Sequence, residues 1–253
     1  MEIQEIRLFS SDKSVHAIKN PVKIEIFNLI EQGDCSFDAI VAATGKAKST
    51  ISAHIKELEI RGLIFSHPDP ADFRKRIISK SAISIGTLTN QDRNFQGRLQ
   101  IPTDITQLQT ADLFRIILMT LRMEVLSLGI NVDPLLKRVG SQIGTYLAPS
   151  FIKSTLEETL TAVAQFWHEH KLGKMVVNGL DPIILEITDC FECSEYPITG
   201  KPECHFAMGF VTILFAHYYE KEVPVTETTC YAAADTKCMF EIIPPTQEEE
   251  SQI

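Results

Sequence analysis

The chain has 253 residues, of which 44% are hydrophobic and 23% are charged, and its formal net charge is −9. This length suits two domains, and this balance of residues is typical of a globular protein rather than a disordered one. No apolar run reaches the roughly 18 residues that a membrane span needs. The first residues lack the basic start and apolar core of a signal peptide. We therefore expect a cytoplasmic protein with no membrane partner, in which thiols stay reduced.

The negative charge is unevenly distributed along the chain. Residues 1–85 carry 12 Lys and Arg against 11 Asp and Glu, whereas residues 86–253 carry 12 against 22. The first part is therefore free to approach a polyanion such as DNA. Because it is not strongly basic, we expect binding to depend on dimerisation and on specific contacts.

Residues 1–85 show the pattern of a small DNA-binding domain. Pro21 opens one helical pattern, and Ser36 is a candidate N-cap for a short second helix. Ile51, Ile55 and Leu58 form the buried stripe of a third helix. A strand at 63–65, a turn at 67–70 and a returning strand at 73–81 follow. This order predicts a winged helix-turn-helix, mainly α-helical with a β-hairpin wing.

The third helix of such a domain enters the major groove, and flanking basic residues contact phosphates. Small polar residues near its start can reach base edges, and Lys or Arg there and in the hairpin suit the DNA backbone. The predicted DNA-binding residues are Lys46, Lys48, Ser49, Thr50, Ser52, His54, Lys56, Arg74 and Arg76.

The segment from Ser49 to Ile64, STISAHIKELEIRGLI, resembles the recognition helix of the arsenic-repressor type of bacterial and archaeal regulators. The resemblance covers about 65 residues. It implies a homodimer that binds a roughly two-fold symmetric operator in double-stranded DNA, with His54 at the histidine position of the motif.

Residues 86–130 are predicted to form a polar linker and a connector helix. The helix runs from about Asp104 to Leu128 and is too apolar to stand in water alone. We expect it to pack on the second domain, to pair with its copy in a dimer, or both.

Residues 131–245 are predicted to form an α+β domain that binds a small molecule or a metal, followed by an acidic tail at 246–253. Two helices come first, the second with a capping box of Ser154 and Glu157. Two strands separated by Asn178-Gly179, an apolar helix from Phe206 to Tyr219 and a closing strand follow.

Five of the six cysteines fall within 49 residues. Three of them, Cys204, Cys230 and Cys238, together with Glu227, are enough to close a tetrahedral zinc site. With four protein ligands such a site has no open position, so we expect structural zinc rather than catalysis.

The other cysteines leave alternatives open. Cys190 and Cys193 form a CxxC pair that is a candidate redox disulfide, a pair of ordinary thiols, or part of a rival four-cysteine site with Cys230 and Cys238. Cys35 stands apart, before the second helix. It is either a helix-start residue or a third redox cysteine that forms an inhibitory disulfide.

The run from Glu227 to Glu241, ETTCYAAADTKCMFE, resembles the 4-vinyl-reductase-type domain of ligand-responsive regulators. The zinc-containing sensor domains of phenol-responsive activators have three cysteines and a glutamate in this pattern, which implies Cys204, Glu227, Cys230 and Cys238 as ligands and a pocket for a small hydrophobic ligand above them. The whole arrangement also resembles a methanogen-specific, redox-responsive transcription regulator. That resemblance implies an archaeal source and a reduced form that binds DNA.

These observations predict a homodimeric transcription regulator that acts as a repressor. Its operator binding is expected to depend on the redox state of cysteines in a zinc-containing domain. One alternative is a regulator that responds to a small molecule and in which zinc is purely structural. A reductase-like enzyme is the other. We expect no enzyme activity, because the chain has no dinucleotide fingerprint, nucleophile elbow or open metal site.

Overall fold

The structure, a computed structural model, describes residues 6–12, 14–88, 106 and 108–245. The predicted linker, the start of the connector helix near Asp104 and the acidic tail lie outside these residues. The chain divides into two compact units, one of residues 1–93 with 126–132 and one of residues 94–125 with 133–253. The short segment 126–132 therefore belongs to the first unit, although the segments on both sides of it belong to the second.

The first unit contains three helices and seven strands among its described residues. In chain order these are β1 Ile6–Ser10, β2 Val15–Ile18, α1 Pro21–Glu31, β3 Cys35–Ser36, α2 Phe37–Thr44, α3 Lys48–Ile60, β4 Ile64–Pro68, β5 Arg76–Lys80, β6 Ile83–Leu88 and β7 Ile130–Asn131. One antiparallel sheet has the order β3-β5-β4, and the other has the order β2-β1-β6-β7.

The predicted winged helix-turn-helix is confirmed. Helices α1, α2 and α3 precede the β4–β5 hairpin, which is the wing. Ser36 caps α2, since its hydroxyl accepts a hydrogen bond of 3.2 Å from the Ala39 N–H. The predicted stripe of Ile51, Ile55 and Leu58 is fully buried. The wing differs in detail, because β4 extends to Pro68 and the turn follows it.

The second sheet of this unit was not predicted from the sequence. Its strand β1 contributes Phe9, whose ring stacks on that of Phe27 in α1 with centroids 4.0 Å apart. The Arg7 guanidinium, also in β1, pairs with Glu31 at the end of α1 at 2.9 Å. The sheet is therefore part of the core of the first unit.

The second unit contains four α-helices and four strands among its described residues. These are α4 Thr110–Ser127, α5 Asp133–Phe151, α6 Leu156–Glu169, β8 Lys174–Leu180, β9 Ile183–Thr188, α7 His205–Tyr219, β10 Val225–Thr229 and β11 Cys238–Ile242. The last two residues of α4 group with the first unit. The sheet is antiparallel, with the order β10-β11-β9-β8, so the predicted α+β class is confirmed.

Three local predictions in this unit are corrected. The capping box of α6 uses Thr155 and Glu158 rather than Ser154 and Glu157. Asn178-Gly179 lies inside β8, at a register shift, and the turn to β9 is at Asp181–Pro182. Strand β10 was missed, because its three threonines and Glu227 leave no apolar run.

Helix α7 is the centre of the second unit and packs closely on α5. It is apolar on most of its circumference, which is typical of a buried helix. A Cβ on Gly209 would lie 1.9 Å from the Lys137 carbonyl oxygen, and one on Gly140 would lie 2.0 Å from that of Phe206. The two helices can therefore touch only because both positions are glycine. Cys204 precedes α7 directly and is its N-cap residue.

Candidate metal centre

Five thiols converge in the core of the second unit. Cys190, Cys193, Cys204, Cys230 and Cys238 are at most 1% exposed, and all are free. Sulfur–sulfur distances of 3.1 to 4.0 Å connect them. The predicted clustering of these cysteines is therefore realised in three dimensions.

The thiols come from several separate local structures. Cys190 and Cys193 lie in a turn after β9, in which the Ser194 N–H donates to the Cys190 carbonyl oxygen at 3.0 Å. Cys230 begins a tight loop: its own N–H donates to the Asp235 carboxylate at 2.9 Å, and its carbonyl oxygen accepts from the Asp235 N–H at 3.1 Å. Cys238 is the first residue of β11 and is held by pairing with β9.

Two overlapping groups of donors are close enough to hold one metal ion. One group is Cys204, Glu227, Cys230 and Cys238, the set named from the sequence; the other is Cys190, Cys193, Cys204 and Cys238. Within each group all donor atoms lie within 4.8 Å of one another. The structure therefore brings the predicted set together and also adds the CxxC pair, which the sequence analysis had left with three interpretations.

Two buried carboxyl groups accompany the thiols. Glu227 accepts a hydrogen bond of 3.1 Å from the Cys204 N–H, and burial, followed by the neighbouring Cys230, raises the pKa of its carboxyl to about 9. Glu192 accepts from the Phe206 and Ala207 N–H groups at 2.6 and 3.0 Å, and burial, followed by Cys190, raises its pKa to about 8. A cation among the sulfurs would favour the ionised form of each.

The donor set fits zinc. Thiolate sulfurs and carboxylate oxygens are among the ligands that zinc takes in proteins, and four zinc–sulfur bonds of about 2.3 Å imply sulfur–sulfur distances of about 3.8 Å. The observed distances bracket that value. Glu227 Oε1 is buried and has no hydrogen-bond partner among the described residues, as expected for an oxygen that completes its contacts with a cation.

Two arginines of α4 hold the loops that carry the thiols. Arg115 donates to the Cys190 carbonyl oxygen at 3.2 Å and to the Ser194 hydroxyl. Arg122, which is 5% exposed on its side chain, donates to the Glu203 carbonyl oxygen at 3.1 Å and pairs with the Glu203 carboxylate and with Asp133. Neither arginine was singled out from the sequence, because the loops that they hold lie far along the chain.

A further acidic group lies beside Cys204. Asp133, Glu203 and His205 have donor atoms close enough to hold a metal. However, the Arg122 guanidinium lies 2.9 Å from Asp133 and also pairs with Glu203, so a cation already neutralises both carboxylates. This group is an ion-pair network that fixes the residues on either side of Cys204.

Cys35 belongs to the first unit, in β3. Its thiol lies 3.5 Å from the Gly33 carbonyl oxygen and 3.7 Å from that of Leu29. Burial, followed by the charge of Asp34, raises the pKa of this thiol. A raised pKa lowers the thiolate fraction, so these surroundings do not activate Cys35.

The predicted DNA-binding residues lie on α3, in the turn before it and on the wing. Lys46, Lys48, Ser49, Thr50, Ser52, Lys56, Arg74 and Arg76 are exposed, and His54 is half-buried. Three of the basic side chains pair with acids of the same unit: Lys48 with Asp38, Arg74 with Asp72 and Arg76 with Glu59.

A groove of about 670 Å³ lies between α6 and β8. Its walls are mixed in character: Leu160, Ala164 and Val177 are apolar, whereas Glu157 and Gln165 are polar. It is large enough for a small organic molecule. No helix in the described part of the chain has the length and hydropathy to cross a membrane.

Two family models match the chain. The model of the arsR family of bacterial regulatory proteins matches residues 20–66, which include α1 to α3. The model of the 4-vinyl-reductase-type domain matches residues 183–244, which include all five clustered thiols and Glu227. The chain joins an arsR-type helix-turn-helix to a 4-vinyl-reductase-type domain. The presence of these two domains supports the interpretation of this chain as a DNA-binding regulator with a sensory domain.

A curated relative also matches part of the chain. An uncharacterized protein of Methanocaldococcus jannaschii is 31% identical over 97 residues, which are 38% of this chain and 60% of that protein. The match thus spans less than two thirds of that relative.

Solved structures with detectable likeness are more distant. The phenol-responsive sensory domain of the transcription activator PoxR has 17% identity and a TM-score of 0.44, covering 64% of this chain and 96% of that one. A vinyl-4-reductase family protein of M. jannaschii has 15% identity and a TM-score of 0.38, covering 55% and 84%. At these TM-scores the likenesses carry no functional conclusion.

Proposed function

We propose that this protein is a DNA-binding transcription regulator, acting as a repressor, whose operator affinity follows the redox state of a zinc–thiolate cluster in its 4-vinyl-reductase-type domain. The observation that carries the proposal is the buried group of five thiols in a chain that also contains an arsR-type helix-turn-helix. Thiols this close together bind a soft cation or form disulfides. The proposal assigns no catalytic activity.

The proposed zinc ligands are Cys204, Cys230 and Cys238, with a fourth ligand from Glu227 or the CxxC pair. Bound zinc would supply a crosslink between the start of α7, the loop at Cys230 and β11. Oxidation of ligand thiols to a disulfide would remove that crosslink or rearrange it. The reduced protein is the proposed DNA-binding form.

The signal leaves the cluster through α4 in this proposal. Arg115 holds the turn that contains Cys190, and Arg122 holds the residue before Cys204. The chain continues from α4 into β7, which pairs with β6 in the sheet of the first unit. A shift of either thiol loop therefore acts on a helix that is covalently continuous with the DNA-binding unit.

The proposed partners are an operator in double-stranded DNA and a second copy of the chain. In a dimer, a small change in the separation of two α3 helices is enough to release DNA, because half-sites are spaced by whole helical turns. The exposed apolar side chains of α4, which include Phe114, Ile117 and Leu121, support such pairing.

The test has two measurements on protein purified without oxygen. Elemental analysis should find about one zinc per chain in the wild type and in Cys35→Ser, and much less in Cys230→Ser. Duplexes selected from a random pool by the reduced protein should then lose affinity on treatment with peroxide and regain it with a thiol reductant. Affinity that ignores the oxidant would contradict redox control.

The second candidate function is a regulator that responds to a small hydrophobic molecule and in which zinc is structural. The groove between α6 and β8 favours it. Under this alternative, DNA affinity is insensitive to oxidant but changes with an aromatic ligand. Widening of the groove by Leu160→Ala should then alter the ligand response and leave the zinc content unchanged.

A further inference from the structure

The thiol cluster holds more donors than one zinc ion needs. Five thiols and Glu227 provide six donors, whereas a structural zinc site uses four. Cys204, Cys230 and Cys238 form a triangle, with sulfur–sulfur distances of 3.8 Å, 3.4 Å and 4.0 Å for the pairs 204–230, 204–238 and 230–238. The question is which donor takes the fourth position.

Cys193 completes a tetrahedron on this triangle. Its sulfur lies 3.1 Å from that of Cys204, 3.1 Å from that of Cys238 and 3.5 Å from that of Cys230. The six distances are too similar for a flat arrangement, in which the longest would exceed the shortest by a factor of about 1.4 or more, and they are close to those of a four-thiolate zinc site.

Glu227 approaches the same triangle. One of its carboxylate oxygens lies within 4.8 Å of the sulfurs of Cys204, Cys230 and Cys238. Its Oε2 accepts from the Cys204 N–H, and its buried Oε1 has no hydrogen-bond partner among the residues that the structure describes. A second donor is therefore in place and has an oxygen to offer.

We propose that Cys193 and Glu227 are alternative fourth ligands of zinc bound by Cys204, Cys230 and Cys238. Cys193 is the ligand in the reduced protein, and Glu227 replaces it when Cys193 forms a disulfide with Cys190. This inference rests on the zinc binding proposed above. It adds that oxidation changes the ligand set without releasing the metal.

The geometry of the CxxC turn permits this disulfide. The sulfurs of Cys190 and Cys193 lie within 4.8 Å of each other. With a peroxide as oxidant, one S–S bond forms and the O–O bond breaks, as two electrons pass from the sulfurs to the peroxide oxygens. The Cys190 thiol gives one proton and solvent gives the second, so that hydrogen peroxide leaves as two waters. The ligand charge is conserved, because a carboxylate replaces a thiolate.

The exchange would also reach α4. Arg115 donates to the carbonyl oxygen of Cys190, and Arg122 lies with its guanidinium 4.4 Å from the centre of the Tyr196 ring, three residues after Cys193. Movement of the turn between Cys190 and Tyr196 therefore changes contacts of both arginines while the zinc crosslink persists.

The test uses cobalt-substituted protein under anaerobic conditions, because sulfur-to-cobalt charge-transfer absorption reports the number of thiolate ligands. Wild-type protein should show a four-thiolate spectrum. One equivalent of peroxide should lower the charge-transfer intensity by about one quarter while cobalt stays at about one per chain. Cys193→Ser should show the weaker spectrum from the start and should not change with peroxide.

Two further variants make the test sharp. Glu227→Gln should match the wild type when reduced and should lose cobalt on oxidation, since no fourth ligand remains. Cys190→Ser should keep the four-thiolate spectrum after the same peroxide treatment. The exchange is overturned if Glu227→Gln alters the reduced spectrum while Cys193→Ser does not, or if oxidised wild type releases its cobalt. Protein that binds neither zinc nor cobalt would instead defeat the proposed zinc site itself.

Discussion

Cys204 connects the thiol cluster to the backbone of the second unit. Its sulfur contacts those of four other cysteines, and its N–H donates to Glu227. It is also the N-cap residue of α7, and its carbonyl oxygen accepts the Met208 N–H at 2.9 Å. A change at this sulfur therefore acts directly on the start of the central helix.

The residues that are predicted to contact DNA include an exposed arginine of the wing. The Arg74 side chain is 91% exposed on the wing, where it pairs with Asp72. An exposed ion pair is worth little, so this side chain is available to a phosphate. We expect Arg74→Ala to weaken binding about equally for all DNA sequences and to lower the slope of log affinity against log salt by about 1.

Fluorescence anisotropy at several salt concentrations measures both quantities. Lys174→Ala is a suitable control, because Lys174 is an exposed lysine of the 4-vinyl-reductase-type domain that also pairs with an acid, Asp189. An unchanged salt slope in Arg74→Ala would show that this part of the wing does not contact DNA.

Thr50→Ala on α3 should have a different effect. It should change the sequence preference at one position by about 1–3 kcal/mol and leave the salt slope unchanged.

At the scale of elements, helices α5 and α7 pack closely against each other. A Cβ on Gly209 or Gly140 would meet backbone carbonyl atoms, which cannot move aside as a flexible side chain can. A Cβ on Gly144 would lie 3.1 Å from Ile213 Cβ and 3.2 Å from the Phe210 carbonyl oxygen, a milder contact because these distances are longer by more than 1 Å. The loss of folding stability on substitution of each glycine by alanine should therefore be larger where the distance is shorter.

We expect Gly209→Ala and Gly140→Ala to lower the free energy of unfolding by about 3 kcal/mol or more, and Gly144→Ala by about 1 kcal/mol. Urea denaturation of the zinc-loaded protein measures this difference. Equal stability of the three variants would show that the helices separate at little cost.

Helix α4 contacts the turn that carries Cys190. Arg115 reaches the turn of Cys190 and Ser194 through a carbonyl oxygen and a hydroxyl rather than through a sulfur. We expect Arg115→Ala to retain about one zinc per chain and to bind DNA when reduced, but to lose most of its response to oxidant. Anisotropy before and after peroxide measures that response.

The control for this prediction is Arg138→Ala, a change of an exposed arginine on α5. It should leave both zinc content and oxidant response at wild-type values. A full oxidant response in Arg115→Ala would show that the signal does not pass through this contact.

At the scale of the whole molecule, the charge is divided between the parts of the chain. The acidic excess lies after residue 85. DNA therefore repels the second part of the chain more strongly than the first part, which is nearly neutral.

Helix α4 exposes an apolar surface that bears on the oligomeric state. This surface is large for a single helix, since Phe114, Ile117 and Leu121 are 67%, 52% and 59% exposed.

We expect the double variant Ile117→Glu and Leu121→Glu to convert a dimer into monomers, because two buried like charges would face each other across the pairing surface. Sedimentation velocity measures the change, and DNA affinity should fall with it. The matched control is Val139→Glu with Tyr146→Glu, on an exposed apolar stripe of α5. A monomeric wild type would contradict the pairing of α4.

Much of the fold could be predicted because it depends on local signals. The buried stripe of α3, the Ser36 cap and the apolar pattern of α7 are each set by residues within a few positions of one another. Strands β1, β2 and β10 were missed for the opposite reason. Their short and partly polar segments become strands only by pairing with other strands, such as β1 with the distant β6.

The sequence by itself determined the helix-turn-helix, the α+β class of the second part and the concentration of thiols in one region, since residue type and spacing encode these. Only the tertiary structure decided which donors meet. Cys193 and Cys238 are 45 residues apart, yet their sulfurs lie 3.1 Å apart, and Arg115 reaches a carbonyl 75 residues away. Such contacts depend on how β9, β11 and α7 pack together, and local spacing carries no information about that packing.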